Sequence, residues 1–221
     1  QMCIRDMYKA LLKQLGYNPK NHKLNLKPWI DLQKKIKKKK HKVKIAVVGK
    51  YTNLKDSYKS LNEALVHGGI ENSAEVDIKW INSEKENNLS LKKKLKGCDG
   101  ILIPGGFGIR GINGKINAIK YARENNIPFF GICLGMQLAV IEIAQNVLKI
   151  KNAHSSEFKK TTKSVVGLMT EWVNKNKIEK RDKNSDKGGT MRLGAYKAIL
   201  KNNSKIFSIY KNKVISERHR H

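Results

Sequence analysis

Cys133 lies between two glycines at a spacing typical of a catalytic nucleophile. The segment Gly131-Ile132-Cys133-Leu134-Gly135 follows one apolar stretch and precedes another with helical periodicity. This G-x-C-x-G pattern matches the nucleophile elbow, a sharp strand-to-helix turn that exposes the side chain at its tip. The N-terminus of the following helix favours a thiolate. The pattern predicts a nucleophile, whereas a buried structural cysteine, the alternative, does not require a glycine on each side.

A second glycine-rich segment, Pro104-Gly105-Gly106-Phe107-Gly108, follows another apolar stretch. Consecutive glycines expose backbone N–H groups, which could bind an oxyanion together with the N–H of Leu134. The alternatives are a tight turn or a phosphate-binding loop. The segment does not match the G-x-x-x-x-G-K-[ST] phosphate motif. Its pairing with the elbow therefore favours half of an oxyanion hole.

Alternating strands and helices must position these two segments. The apolar patterns predict strands and helices in turn from Lys44 onward, with strands at 44–49, 76–81, 99–103 and 128–133 and helices at 57–68, 114–125 and 134–148. This order predicts an α/β fold with a doubly wound, mostly parallel sheet. Further along, β-like pieces occur near 165–173 and 190–200. Before the first strand, residues 7–15 predict a short helix, and the cationic run Lys34–Lys42 predicts an extended connector.

Composition limits the classes of function. The chain has 221 residues, of which 39% are apolar, and its formal net charge is +28. No apolar run is long enough to span a membrane, and three scattered cysteines predict no disulfide framework or zinc site and favour a reducing, cytoplasmic compartment. The basic excess is mostly lysine beside asparagine, not the arginine that nucleic-acid recognition favours. It indicates a solvated lysine-rich surface.

Seven motifs together resemble one family. They are GKY at 49–51, SYKS at 57–60, PGGFGIRG at 104–111, GICLGMQLAVIE at 131–142, SEF at 156–158, GGTMRLG at 188–194 and ERHRH at 217–221. The sequence is similar to the glutamine amidotransferase domain of CTP synthases, a class I (triad) amidotransferase with a flavodoxin-like three-layer fold. The similarity covers about 43–221. Residues 1–42 resemble, more loosely, the end of the synthetase domain and the basic interdomain linker.

The resemblance implies roles for individual residues. Cys133 would attack the side-chain amide of L-glutamine, release ammonia and form a γ-glutamyl thioester that water hydrolyses. The implied oxyanion donors are Gly106 and Leu134, and the implied substrate-binding residues are Gly106, Phe107, Leu134, Gly135, Met136, Gln137, Glu157 and Arg220, with Arg218 as the alternative carboxylate ligand. A GTP activator and lid would involve Arg110, Gly111, Gly114, Thr190 and Arg192. No metal ligand is predicted in this chain.

The resemblance also implies a larger enzyme. CTP synthases aminate UTP with ATP and magnesium, are activated by GTP and work as cytoplasmic homotetramers. In the family, a His-Pro-Glu segment supplies the base and acid of the triad. Pro-Glu follows none of the six histidines here, which are His22, His41, His67, His154, His219 and His221. We therefore expect residues 1–221 to be an incomplete piece, without glutaminase activity by itself.

Three other readings are open on the residues. The first is another class I amidotransferase with a different acceptor domain. The second is an elbow-cysteine hydrolase of related fold, which would not need Gln137, Glu157 or Arg220. The third is a non-catalytic basic module that binds nucleic acid through its positive charge.

Overall fold

The computed structural model describes residues 4–21, 25–50, 55–158, 163–167, 171–174, 177–180 and 193–220. The chain divides into two compact units, Gln1–Gly167 and Leu168–His221. In the first unit, the α-helices are α1 (Ile4–Gln14), α2 (Lys27–Lys37), α3 (Lys59–Glu71), α4 (Asn88–Leu95), α5 (Ile112–Glu124) and α6 (Leu134–Glu142), and a π-helical turn (Ile143–Val147) continues α6. Its strands are β1 (His41–Gly49), β2 (Ala74–Asn82), β3 (Gly100–Ile103), β4 (Phe129–Gly131), β5 (His154–Ser155) and β6 (Ser164–Val166).

A parallel sheet with strand order β2-β1-β3-β4 forms the centre of the first unit. In its register, Val47 of β1 is opposite both Trp80 of β2 and Leu102 of β3, and Leu102 is opposite Phe130 of β4. β1 ends in a continuous buried apolar run, as expected for a strand covered on both faces. The predicted α/β fold with a parallel sheet is therefore confirmed, and all four predicted strands are present.

Helices α4, α5 and α6 supply much of the hydrophobic core beside this sheet. Buried side chains in the cluster include Leu91, Leu95, Ile119, Leu138 and Ile141. At the end of α6 the fully buried Glu142 accepts hydrogen bonds from both Nε and Nη2 of Arg123 on α5, at 2.8–3.1 Å. This bidentate ion pair links α5 to α6, the helix that follows the elbow.

The cationic run before β1 corrects one prediction. The predicted extended connector at Lys34–Lys42 is wrong for its first part, because α2 extends to Lys37 and β1 begins at His41. Proline in the first turn favours this helix, and acidic partners offset the repulsion between lysines. Lys35 forms an ion pair with Glu71 at 2.7 Å, and Lys34 lies 3.6 Å from Asp31.

The sequence did not predict α4. Asn87 caps this helix by accepting a hydrogen bond from the N–H of Ser90 at 2.8 Å, and Leu91 and Leu95 are buried one turn apart. Two apolar residues in a lysine-rich stretch are too weak a pattern to predict a helix.

Where the structure describes the second unit, it contains short strands and one helix. Its elements are β7 (Glu171–Asn174), β8 (Lys177–Lys180), β9 (Leu193–Ile199), α7 (Lys205–Tyr210) and β10 (Val214–Arg220). β7 pairs antiparallel with β8, and β9 with β10. The β-like pieces expected near 165–173 and 190–200 correspond to β6, β7 and β9. No helix in the described ranges combines the length and the apolar character needed to cross a membrane.

Candidate active site

Cys133 occupies the sharp turn between β4 and α6. Its backbone has φ +52° and ψ −106°, a left-handed conformation that a residue with a Cβ rarely adopts. The N–H of Ile132 donates to the carbonyl oxygen of Ile103 at 2.9 Å, and the N–H of Gly135 donates to that of Ile132 at 2.8 Å. These hydrogen bonds anchor the turn to β3 and hold Cys133 at its tip. The predicted strand-to-helix elbow is present.

The two flanking glycines are required by close backbone contacts. A Cβ on Gly131 would lie 2.5 Å from the carbonyl carbon of Gly135. A Cβ on Gly135 would lie 2.2 Å from the carbonyl oxygen of Ile103. Neither contact is sterically allowed, so the elbow can form only with glycine at both positions.

The Gly105-Gly106 segment lies directly against the elbow. The position of a Cβ on Gly105 is 3.5 Å from Cβ of Cys133, and that on Gly106 is 3.7 Å from Cδ2 of Leu134. Leu134 is the first residue of α6, so its N–H has no acceptor within the helix. The fold thus brings together the two residues that the sequence predicts as oxyanion donors, beside the predicted nucleophile.

Side-chain exposure separates this cysteine from Cys98. Cys133 is a partly exposed free thiol, whereas Cys98 is buried, and its burial raises the pKa of the Cys98 thiol. Close to the elbow, the side chains of Phe107 and Met136 are 82% and 57% exposed, and Gln137 is half-buried. Apolar groups that face solvent beside an accessible thiol can contact the aliphatic part of a ligand.

Two buried lysines lie beneath the glycine loop: Lys50 from the GKY motif and Lys115 from the segment 110–115 expected near the GTP site, and no role in the glutaminase reaction was predicted for either. Lys50 follows β1, and its Nζ donates to the carbonyl oxygen of Phe107 and, at 3.5 Å, to that of Gly108. Lys115 is on α5 with only 1% of its surface exposed, and its Nζ lies 3.8 Å from the position of a Cβ on Gly106. In so lysine-rich a chain, the local signals that distinguish them are the preceding glycines, Gly49 and Gly114, and for Lys50 also the GKY motif.

Burial, together with the smaller effect of the charge on Lys50, lowers the pKa of Lys115 to about 8, although the carboxylate of Glu84 opposes the shift. Between pH values near 8 and near the ordinary lysine pKa of 10.5, Lys115 is largely neutral in the folded protein but protonated in the unfolded chain, so the folded protein binds fewer protons. Its stability should therefore rise with pH across this window, by an amount on the order of 3 kcal/mol.

We expect Lys115→Met to remove this rise, because the variant has no amine to desolvate. Urea unfolding at pH 7.5, 9 and 10 would measure it, with Lys120→Met, at a half-exposed lysine on the same helix, as the control. The same pH dependence in wild type and Lys115→Met would contradict this.

The residues predicted for the GTP site and lid are partly described. Arg110 donates from Nε and Nη2 to the two carboxylate oxygens of Glu84, at 2.6 and 3.1 Å, and this ion pair lowers the pKa of Glu84. Gly111 precedes α5 with φ +71°, and a Cβ on Gly114 would lie 2.1 Å from the carbonyl oxygen of Ser83. Both glycines are therefore needed for packing. Thr190 and Arg192 lie outside the described residues.

The two residues predicted to bind the charged end of the substrate lie in different units. Glu157 is exposed in the turn after β5, where its N–H donates to Oγ of Ser155 at 3.2 Å. The neighbouring Phe158 packs against the hydrophobic core and so anchors this turn. Arg220 ends β10 opposite Leu193, and its side chain lies outside the described part of the chain.

Comparison with known proteins agrees with this geometry. The family model for glutamine amidotransferase class-I matches residues 53–221. A CTP synthase from Pelagibacter ubique is 58% identical over 199 residues, and one from Bartonella henselae is 52% identical over 211 residues. These alignments cover 89% and 96% of this chain but only 36% and 39% of the relatives, so the chain spans well under half of their length.

A solved structure of the Trypanosoma brucei CTP synthase glutaminase domain with bound acivicin superposes with a TM-score of 0.68 at 41% identity, over 81% of this chain and 66% of that one. Sequence and fold thus confirm the resemblance to the glutaminase domain of CTP synthases. The chain belongs to the class I glutamine amidotransferase family.

Proposed function

We propose that this chain is the glutaminase part of a CTP synthase, in which Cys133 releases ammonia from L-glutamine for the ATP-dependent amination of UTP. The observation that carries the proposal is the position of Cys133 at the tip of the elbow, next to the glycine loop. Its Cβ lies 3.5 Å from the position that a Cβ on Gly105 would occupy. The Trypanosoma brucei domain, which carries acivicin, supports a ligand pocket in this fold.

The first step would be attack of the Cys133 thiolate on the amide carbon of glutamine. The carbonyl oxygen gains negative charge, which the N–H groups of Gly106 and Leu134 would stabilise. The C–N bond then breaks, and the nitrogen leaves as ammonia after it receives a proton. Water hydrolyses the remaining thioester to glutamate and restores the thiol. The proton-transferring histidine and its acid are expected in the family's His-Pro-Glu segment, which residues 1–221 do not contain.

The remaining parts of the proposal concern the whole enzyme. The ATP, Mg²⁺ and UTP sites would belong to the synthetase domain of the same protein, and no residue of this chain is assigned to them. Homotetramer assembly and GTP activation follow the same resemblance. For GTP, Arg110 would have to exchange its ion pair with Glu84 for a phosphate contact, while Gly111 and Gly114 would shape the loop.

The proposal is tested with a full-length protein that carries these residues. Glutamate release is measured with L-glutamine and with L-asparagine, and the covalent adduct is located by mass spectrometry after rapid acid quench. We expect glutamate release from L-glutamine, no turnover of L-asparagine, and a covalent adduct on Cys133. Glutamine turnover with the adduct on a residue other than Cys133 would contradict the role given to Cys133.

Glutamine is a zwitterion, so binding its α-amino and α-carboxylate groups requires one acidic and one basic side chain. We expect Glu157→Gln and Arg220→Ala each to raise KM for glutamine by about 10- to 150-fold, since a charge-assisted hydrogen bond contributes roughly 1.5–3 kcal/mol. Steady-state kinetics would measure this. The exposed Glu124 on α5 provides the control Glu124→Gln, for which KM should not change. A KM equal to wild type in both site variants would exclude these two contacts.

A further inference from the structure

Two lysines converge beneath the Gly105–Gly108 loop from different elements. Lys50 comes from the end of β1, and Lys115 comes from the second turn of α5. Both are buried, with 8% and 1% of their surface exposed. Lys50 has a clear structural task, because its Nζ contacts the carbonyl oxygens of Phe107 and Gly108. Lys115 has no such evident task.

The position of Lys115 is costly for a structural residue. Burying an ammonium group is unfavourable unless it is paired and hydrogen-bonded. In the part of the chain that the structure describes, no oxygen accepts a hydrogen bond from its Nζ, and the nearby carboxylate of Glu84 is engaged by Arg110. The neighbouring charge on Lys50 repels it. A methionine would fill the same volume without this cost, so stability alone does not explain the lysine.

The surroundings of Lys115 point to the oxyanion site. Its Nζ lies 3.8 Å from the Cβ position of Gly106, and that position lies 3.7 Å from Cδ2 of Leu134. The ammonium group therefore lies beside Gly106, one proposed oxyanion donor, and Gly106 in turn lies beside Leu134, which carries the other. A positive charge in a water-poor environment stabilises a developing negative charge much more strongly than it does in bulk water.

We propose that Lys115 is a positioning residue of the glutaminase reaction, which together with Lys50 holds the Gly105–Gly108 loop against the elbow and supplies positive potential behind the N–H of Gly106. This inference rests on the proposed function, because it concerns the oxyanion of that reaction. The negative charge exists only during the covalent steps. Loss of the ammonium group should therefore lower kcat and leave KM nearly unchanged.

The pH dependence of turnover should also depend on the charge of Lys115. The ammonium group is protonated below a pKa of about 8, so the turnover of wild type should decline as the pH rises through that value. Among the described residues, the charged groups that act on Lys115 are Lys50 at the end of β1 and Glu84 after β2. Arg110 before α5 acts on it only through Glu84. On the elbow side of the loop, the Cβ of Cys133 lies 3.5 Å from the Cβ position of Gly105.

The test compares Lys115→Met, Lys115→Arg and the surface control Lys120→Met in a full-length protein that carries these residues, with L-glutamine from pH 6.5 to 10. For Lys115→Met we expect kcat about tenfold lower, KM within twofold and no decline near pH 8. Lys115→Arg keeps its charge, so it should recover most of kcat and shift the decline to higher pH. Lys120→Met should match wild type.

If Lys115→Met kept the wild-type kcat and the same decline of turnover near pH 8, this inference would be overturned. Because wild type would still turn over glutamine, the proposed function would not be affected. A rise in KM at constant kcat would overturn the inference as well, because it would place Lys115 in ground-state binding. If Lys115→Met does not fold, Lys115→Gln and the pH profile of Lys115→Arg decide the question. A wild-type protein that releases no glutamate from glutamine would instead remove the proposed function, and this inference with it.

Discussion

Cys133→Ala should abolish glutamine-dependent CTP formation in a full-length protein that carries these residues, while CTP formation from added ammonia continues. The variant has no thiol to form the thioester, and removal of a nucleophile of this kind typically lowers turnover by several orders of magnitude. Free ammonia does not need that step. The measurement is CTP formation followed spectroscopically, with either glutamine or an ammonium salt as the nitrogen donor.

Cys98→Ala is the matched control for this experiment. Cys98 is buried in the core, so its replacement should cost some stability and leave both activities in place. If Cys133→Ala lost the ammonia-dependent activity as well, Cys133 would be a structural residue of the fold, not the nucleophile.

Gly135→Ala should be the most damaging single methyl group that can be added to the elbow. Its Cβ would lie 2.2 Å from the carbonyl oxygen of Ile103, a backbone atom of a central strand that cannot move aside. We expect the free energy of unfolding to fall by about 3 kcal/mol or more, and glutaminase activity to disappear. Urea denaturation of the variant and of wild type would measure the difference.

Gly68→Ala provides the opposite result with the same chemical change. Gly68 lies within α3, and a Cβ there meets nothing within 4 Å. Alanine should therefore stabilise the protein by up to about 1 kcal/mol, because it has the higher helix propensity. If Gly135→Ala were as stable as wild type, the carbonyl oxygen of Ile103 could not lie so close to the Cβ position of residue 135, and the requirement for glycine at the elbow would be wrong.

The elements around the elbow were predictable because their patterns are local. A buried parallel strand is a continuous apolar run, which the residues of β1 show, and glycines two residues on either side of Cys133 are a strong constraint on a turn. The position of the Gly105-Gly106 loop beside Cys133 followed from the topology. In a parallel sheet, the loops after adjacent strands β3 and β4 meet at the same edge.

Other features depended on contacts between distant residues. The conformation of Lys34–Lys37 is decided partly by Glu71, which the chain reaches only after another strand. The burial of Lys115 depends on how α5 packs beneath the loop before it, and a lysine gives no sign of burial in a sequence dominated by lysine. The assignments of Glu157 and Arg220 came from the resemblance to the family and stay predictions.

The strained backbone of Cys133 has a consequence for attempts to stabilise the protein. A left-handed conformation at a residue with a Cβ costs on the order of 1–3 kcal/mol, and glycine would adopt the same turn with little strain. In a lineage selected only for thermal stability, Cys133→Gly would be an advantageous substitution. A cysteine at a position where glycine would be less strained is expected when a thiol is needed there more than stability is. A search for stabilised variants of this protein should recover Cys133→Gly among its first hits, and those hits should be the inactive ones.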